Sequence, residues 1–495
     1  MNNFLTNNFL IDNPYSLIAL TDSYKFGHWA MYLDGTQNIY SYFENRVGSL
    51  YDETVFYGLQ MILKKHLAGI VITQEMIEAA EEFTHLHFLG NTQFNRQLWE
   101  RVVNVHGGKL PVRIKAVPEG SRIPISNILM SVEITDEELT KMGEALLAPL
   151  TNHLEGILTH VWAPSNVATI SRNIRDTIEK YFKLSVPEEN HWLIDYTLHD
   201  FGFRGVTCAE GAGMLGSGLL TSFKGTDTPI AVLYGMKYYN TTEMLGHSVN
   251  ASEHSVMCQK GAEFDIDVLK AFIRKFPDGI LSIVGDSKSI ETFVDAICDD
   301  VELIDIISNR NGKFVVRPDS PRFEGDTAHD QVLWILERLE KGYGSTINNK
   351  GYKELNPKVG VIYGDGLSAP EIQYCIEFLV ENEWAASSCV YGMGGGLLQK
   401  HNRDTQRSAF KCSARKENGV WYDVSKQPKD ASKASKAGRL KLIIIDGEYK
   451  TVREDEYPEY EDILVTVFEN GELVNELNFN QVIENCKTTS ENYGN

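Results

Sequence analysis

"VGVIYGDGLSAPEIQYCIEFLV", residues 359–380, holds a complete strand–turn–helix unit. Val359 to Tyr363 run without polar alternation, as in a strand buried on both faces. The tip Gly364-Asp365-Gly366 stops the strand. Ser368 and Glu371 then form an S-x-x-E capping box, and Pro370 suits a first helical turn. Behind the cap, Ile372, Cys375, Ile376, Leu379 and Val380 recur at i, i+3, i+4, i+7 and i+8, so the helix has one apolar face.

Four other segments repeat the strand with its polar or glycine-rich tip. They are "YTLHDFGFRG" (Tyr196–Gly205), "ILSIVGDS" (Ile280–Ser287), "KFVVRPDS" (Lys313–Ser320) and "SCVYGMGGG" (Ser388–Gly396). After "KFVVRPDS", Val332, Ile335, Leu336 and Leu339 trace another helical stripe. Buried strands alternating with amphipathic helices predict an α/β class chain with a parallel, barrel-like core. In such cores the C-terminal strand ends carry the chemistry.

The flanks read as β structure. "KLPVRIKAVPEGSRIPISNILMSVEIT" (Lys109–Thr135) is rich in β-formers and turn residues. "KLIIIDGEYKTV" and "LVTVFENGELV" are hairpins turning at Asp446-Gly447 and Asn470-Gly471. A second, mostly β domain is therefore expected from residues 1–150 and 425–495, around a barrel-like α/β domain of residues 151–424. The low-complexity segment Ser425–Arg439 is read as an exposed loop, with a phosphate-contacting lid as the other reading.

Composition narrows the function classes. A net charge of −21 disfavours nucleic acid or an anionic membrane as the main partner. A small anionic ligand needs only a local basic cluster. Seven cysteines without a C-x-x-C pair suggest reduced thiols and no structural zinc. The first residues lack the basic and apolar blocks of a signal peptide, and no apolar run nears the ~20 residues of a membrane span. A cytoplasmic location is expected.

Each rim motif has a functional and a plain reading. Gly394, Gly395 and Gly396 either bring N–H groups to an anion or make a tight turn. Asp319 and Asp365 either accept from ribose hydroxyls, or ligate Mg²⁺, or simply suit turns. Phe201 either stacks on a flat heterocycle or fills core; Arg204 and Asp227 either bind a substrate or pair on the surface. In "NASEHSVM" (Asn250–Met257) the order H-E-x-x-H is absent and no histidine lies one turn from His254, so a zinc-protease site is disfavoured. Asn250 and Glu253 fit an N-x-x-E cap with His254 in the first turns, where the dipole favours a neutral ring. A nucleophilic ring and a structural one both remain open.

"LTDSYKFGH", "YSYFENR", "ETVFYGLQ", "IKAVPEG", "HDFGFRG", "FKGTDT", "EHS", "RPDS", "GDG" and "GGGLLQK" stand in this order along the chain. Together they resemble the nicotinamide phosphoribosyltransferases from about Leu20 to the C-terminal hairpins. The resemblance implies a type II phosphoribosyltransferase fold and a homodimer with sites at the interface. It also implies transfer from phosphoribosyl pyrophosphate to nicotinamide, with Mg²⁺, in NAD salvage. Phe201 and Tyr24, the latter from the second subunit, would sandwich the pyridine ring, with Asp227, Arg317 and Arg204 at the carboxamide. Asp319, Gly364 and Asp365 would hold the ribose, and Gly394 and Gly395 the 5′-phosphate. Arg46, Arg403, Lys411 and Lys426 would gather the pyrophosphate. His254 would be the phosphorylated histidine that couples ATP hydrolysis to transfer, oriented by Asp286.

The chain departs from that pattern in three places. "RPDSPRFEGDT" replaces the usual "RPDSG", Met393 stands where a serine hydroxyl is familiar, and Ala409 replaces a frequent serine. The nearest rival activity is transfer to nicotinate, against which Asp227 argues, because a carboxylate attracts an amide donor and repels a carboxylate. A non-catalytic binding protein on the same fold is the rival of another class.

Overall fold

The computed structural model describes residues 5–92, 94–136, 148–426 and 435–487. Most of the low-complexity segment, residues 427–434, lies outside the described residues. The chain divides into two units: residues 1–169, 237–241 and 402–495, and residues 170–236 and 242–401.

The first unit is built on a seven-stranded antiparallel sheet. Its strands run in the order Val420–Asp423, Ser408–Glu417, Thr36–Asn45, Ile128–Ile134, Val112–Ala116, Val465–Glu469, Glu472–Leu473. Both ends of the chain thus contribute, as the flanks predicted. The boundaries differ from the expected 150 and 425. Ser408–Glu417, assigned to the barrel by the sequence reading, pairs with Thr36–Asn45 in the first unit's sheet. Residues 237–241 also belong here: Tyr239 stacks on Tyr57 at 5.4 Å and donates to Glu119 at 2.5 Å. Pairings between segments so far apart leave no local mark, and a change in composition is a poor guide to them. The two hairpins turn as predicted. Asp446, Gly447, Asn470 and Gly471 all adopt the left-handed φ that a two-residue turn between twisted strands requires.

The second unit holds a seven-stranded, wholly parallel sheet. Its order is Gly225–Thr226, Leu198–Asp200, Cys389–Met393, Val359–Tyr363, Phe314–Arg317, Leu281–Val284, Asn250–Ala251. The segment 247–251 touches both edges: His247 bridges to Gly225, and Asn250–Ala251 pair with Leu281–Ser282. The sheet therefore curls into a barrel-like form, as expected. Helix Ala369–Glu381 begins with the Ser368–Glu371 capping box and buries the five predicted apolar residues. Helix Ala328–Tyr343 buries Val332, Ile335, Leu336 and Leu339. Because all seven strands are parallel, the five polar tips open on one rim. No helix among the described residues is long and apolar enough to cross a membrane.

Candidate active site

The rim is organised around Phe201. Its N–H donates to the Met393 carbonyl at 2.8 Å, which ties the tip of Leu198–Asp200 to that of Cys389–Met393. The ring lies where two glycines leave room: a Cβ on Gly392 would stand 2.0 Å from Phe201 Cε2, and one on Gly364 2.8 Å. The glycines of "YGDG" and "YGMGGG" thus seat an aromatic ring that remains partly accessible. Behind it, the His199 ring lies 6.3 Å from Phe201, centroid to centroid. The barrel interior beyond His199 holds a cavity of about 560 Å³, lined in part by Tyr196, His247 and Lys313.

Asp227 and Asp200 sit together at this tip. Asp227 is exposed, and its Oδ1 accepts from Ser248 Oγ at 2.5 Å. Asp200 is fully buried, accepts from the Gly202 N–H at 2.6 Å, and its carbonyl accepts the Asp227 N–H. Burial above all, with repulsion from Asp227, pushes the Asp200 carboxyl above its ordinary range. This corner repels added negative charge and welcomes an N–H donor. Arg317 donates through Nη2 to the Ser252 carbonyl at 2.8 Å, while its buried Nε has no partner among the described residues. Arg204 is exposed on the turn Phe203–Gly205.

His254, Asp286, Asp319 and Asp365 form the rim's acidic side. His254 Nε2 lies 3.0 Å from Asp286 Oδ1, and Nδ1 lies 3.8 Å from Asp319 Oδ2. The imidazole is half exposed, whereas the Asp286 side chain is 5% exposed. The N-x-x-E cap expected here does not form. Asn250 lies in a strand beside Leu281, and Glu253 is itself the cap residue of the single-turn helix His254–Met257. One turn has little macrodipole, and the nearest charged partner of the ring is Asp286. Burial, followed by repulsion from Asp319 and Asp286, raises the Asp365 carboxyl above its ordinary range. These acids suit a cation, yet among the described residues no group of three or more His, Cys, Asp or Glu could hold a metal ion by itself.

Gly394, Gly395 and Gly396 follow Met393 and open the short helix Gly395–Leu398. Its first N–H groups have no intrahelical acceptor, which leaves them for an anion. A Cβ on Gly205 would stand 3.0 Å from Gly395 N, so "FRG" and "GGG" meet backbone to backbone. Met393 is buried in the strand. The altered loop after Asp319 is closed on itself: Arg322 grips Asp326 at 2.7 and 2.6 Å and lies against Phe323 and Trp334.

The first unit carries its own basic cluster. Burial first, and then repulsion from Arg46, Arg403 and Lys426, holds the Lys411 ammonium below its ordinary range, against the pull of Glu155. Three further cations within electrostatic reach of Lys411 make this a natural seat for a polyanion. Ala409 lies on the same strand as Lys411, opposite Glu44. Tyr24 is exposed and meets His28 edge-on at 4.9 Å.

The sequence reading missed Asp200, Ser248 and Ser320. Asp200 and Ser320 stand inside quoted motifs, next to residues that were singled out. Ser248 had no local signal at all.

The chain is similar to known proteins along most of its length. Residues 16–114 match the family "Nicotinamide phosphoribosyltransferase, N-terminal domain", and residues 196–472 match the "Nicotinate phosphoribosyltransferase (NAPRTase) family". A nicotinamide phosphoribosyltransferase of Xanthomonas campestris is 37% identical over 94% of this chain and 97% of its own. One from Acinetobacter baylyi is 31% identical over 93% of this chain and 94% of its own. Among solved structures, nicotinate-nucleotide pyrophosphorylase from Pyrococcus furiosus aligns with a TM-score of 0.57 at 14% identity, covering 98% of this chain and 97% of that one. Human nicotinic acid phosphoribosyltransferase aligns with a TM-score of 0.54 at 14% identity, covering 94% and 93%. These two establish the shared fold. The chain belongs to the nicotinamide phosphoribosyltransferases, within the NAPRTase family of pentosyl-transferring enzymes.

Proposed function

We propose that the chain transfers the phosphoribosyl group of phosphoribosyl pyrophosphate to nicotinamide, releasing pyrophosphate and forming nicotinamide mononucleotide for NAD salvage. The observation that carries the choice of base is the Asp227–Asp200 pair beside the Phe201 ring. A neutral carboxamide offers N–H donors to Asp227 Oδ2, the oxygen that Ser248 leaves open. A nicotinate carboxylate would meet the exposed Asp227 carboxylate there, with Asp200 buried behind it. Arg317 and Arg204 serve the carboxamide oxygen, and Tyr24 of a second copy closes the other face of the ring.

The chemistry asks for alignment and leaving-group stabilisation, because the sugar passes through an oxocarbenium-like state and the pyridine nitrogen already has a free lone pair. Asp319, Gly364 and Asp365 hold the ribose, and Gly394 and Gly395 the 5′-phosphate. Arg46, Arg403, Lys411 and Lys426 take the pyrophosphate. Magnesium fits the acids as an ion that arrives with substrate phosphates, held by Asp319 and Asp365, and it would neutralise the leaving group. A homodimer is in keeping with the exposed apolar side chains Ile11, Tyr15, Met31, Leu33, Val47 and Leu50 of the first unit.

His254 is the phosphoryl acceptor for ATP. With Nε2–H donated to Asp286, Nδ1 keeps its lone pair and attacks the γ-phosphorus, and ADP leaves. Steady-state turnover on nicotinamide and nicotinate, with and without ATP, tests the whole reading. Nicotinamide preference should weaken in Asp227→Asn, and ATP stimulation should vanish in His254→Ala while some transfer persists. A preference for nicotinate would refute the choice of base, and full ATP coupling in His254→Ala would refute the phosphohistidine.

A further inference from the structure

We propose that Ser320 is a positioning residue for ATP coupling, acting on His254 through Asp286; the inference rests on the phosphohistidine reading above. Asp286 has two oxygens and both are committed: Oδ1 to His254 Nε2, and Oδ2 to the hydroxyl of Ser320, which donates to it. A serine has a single hydroxyl proton, so this bond uses its whole donor capacity. The terminal torsion of an aspartate is broad and roughly two-fold, and a carboxylate held at one oxygen alone is free to swing. Ser320 removes that freedom.

The serine is itself fixed from behind. Its carbonyl accepts from Gln331 Nε2 at 2.9 Å, and Gln331 is 1% exposed on helix Ala328–Tyr343. The loop that follows cannot pull it away, because the Arg322 N–H and guanidinium both bind Asp326. A chain of fixed groups therefore runs from the buried helix face through Ser320 and Asp286 to the imidazole. It holds Nε2 as the protonated nitrogen and presents Nδ1 to the incoming phosphoryl group. The altered loop after Asp319 becomes intelligible: it closes on itself and leaves the serine where the carboxylate needs it.

The test uses the full chain with ATP, Mg²⁺, nicotinamide and phosphoribosyl pyrophosphate. Two quantities are read: acid-labile, base-stable phosphate on the protein, and ATP hydrolysed per nicotinamide mononucleotide formed. Ser320→Ala should lower both about tenfold, the worth of one hydrogen bond to a charged group. Ser320→Thr, which keeps the hydroxyl, should remain within about twofold of the parent on the same scale. A merely structural serine would lower ATP hydrolysis and transfer together and leave their ratio unmoved; that result overturns the proposal. So does a Ser320→Ala protein with parental phosphate and ratio. His254→Ala is run in parallel. If it carries as much base-stable phosphate as the parent, the phosphohistidine reading itself has failed, a result told apart from failure at Ser320 alone.

Discussion

Gly392→Ala is the sharpest perturbation of the Phe201 ring, the proposed platform for the base. The added Cβ would stand 2.0 Å from Phe201 Cε2, whereas carbon atoms in contact prefer about 3.5–4.0 Å. The ring must move by about 1.5 Å to restore contact distance. The same change at Gly364 starts from 2.8 Å, so a shift of about 0.7 Å suffices. A misplacement of about 1 Å in a positioned reactant costs on the order of a hundredfold in rate. Gly392→Ala should therefore lower kcat/KM for nicotinamide about a hundredfold or more, and Gly364→Ala about tenfold. Overpacking should also cost about 1–3 kcal/mol of stability at Gly392. Steady-state kinetics and thermal unfolding measure the two effects, and Gly392→Ala combined with Phe201→Leu separates them. The smaller side chain should recover stability without recovering turnover. Parental kcat/KM in Gly392→Ala, or a larger loss at Gly364 than at Gly392, would refute the claim that these glycines seat the substrate-facing ring.

Three other outcomes are expected. Asp365 has a raised pKa in the folded state, so the folded protein binds its proton more tightly than the unfolded one and loses stability as pH rises through that folded value. Asp365→Asn should accordingly raise Tm at pH 7.5, with the gain vanishing below the ordinary value of 3.8; a lower Tm at neutral pH would contradict a carboxylate disfavoured by burial first and by repulsion from Asp319 and Asp286 second. Pyrophosphate added at about 100 Kd should stabilise the parent by about 2.7 kcal/mol, and Lys411→Ala should show a much smaller thermal shift at the same concentration. An equal shift would remove Lys411 from the polyanion seat. Ser368→Ala should cost about 1 kcal/mol in denaturant unfolding, because it removes the cap of helix Ala369–Glu381; no loss would mean that the cap is redundant.

Local signals carried the strands, caps, hairpins and apolar stripes of this chain, because each depends on residues within a few positions of one another. Val359–Val380 announced its strand, turn, cap and buried face without any tertiary information, and Asp446-Gly447 and Asn470-Gly471 their turns. Motif order carried the family. Three-dimensional contact alone decided the rest. The strand Ser408–Glu417 joined the sheet of Thr36–Asn45, and residues 237–241 joined the first unit, through partners far away in sequence. The expected cap at Asn250 gave way because that residue had a strand beside Leu281 to pair with. Gly392 carried no signal of its own and Gly364 only that of a strand stop and a ribose contact, yet the space the two leave holds the Phe201 ring. Ser248 and Ser320 matter through the carboxylates they bind, 21 and 34 positions away. A hydroxyl's partner is set by where the backbone brings it, and only the folded barrel brings these together.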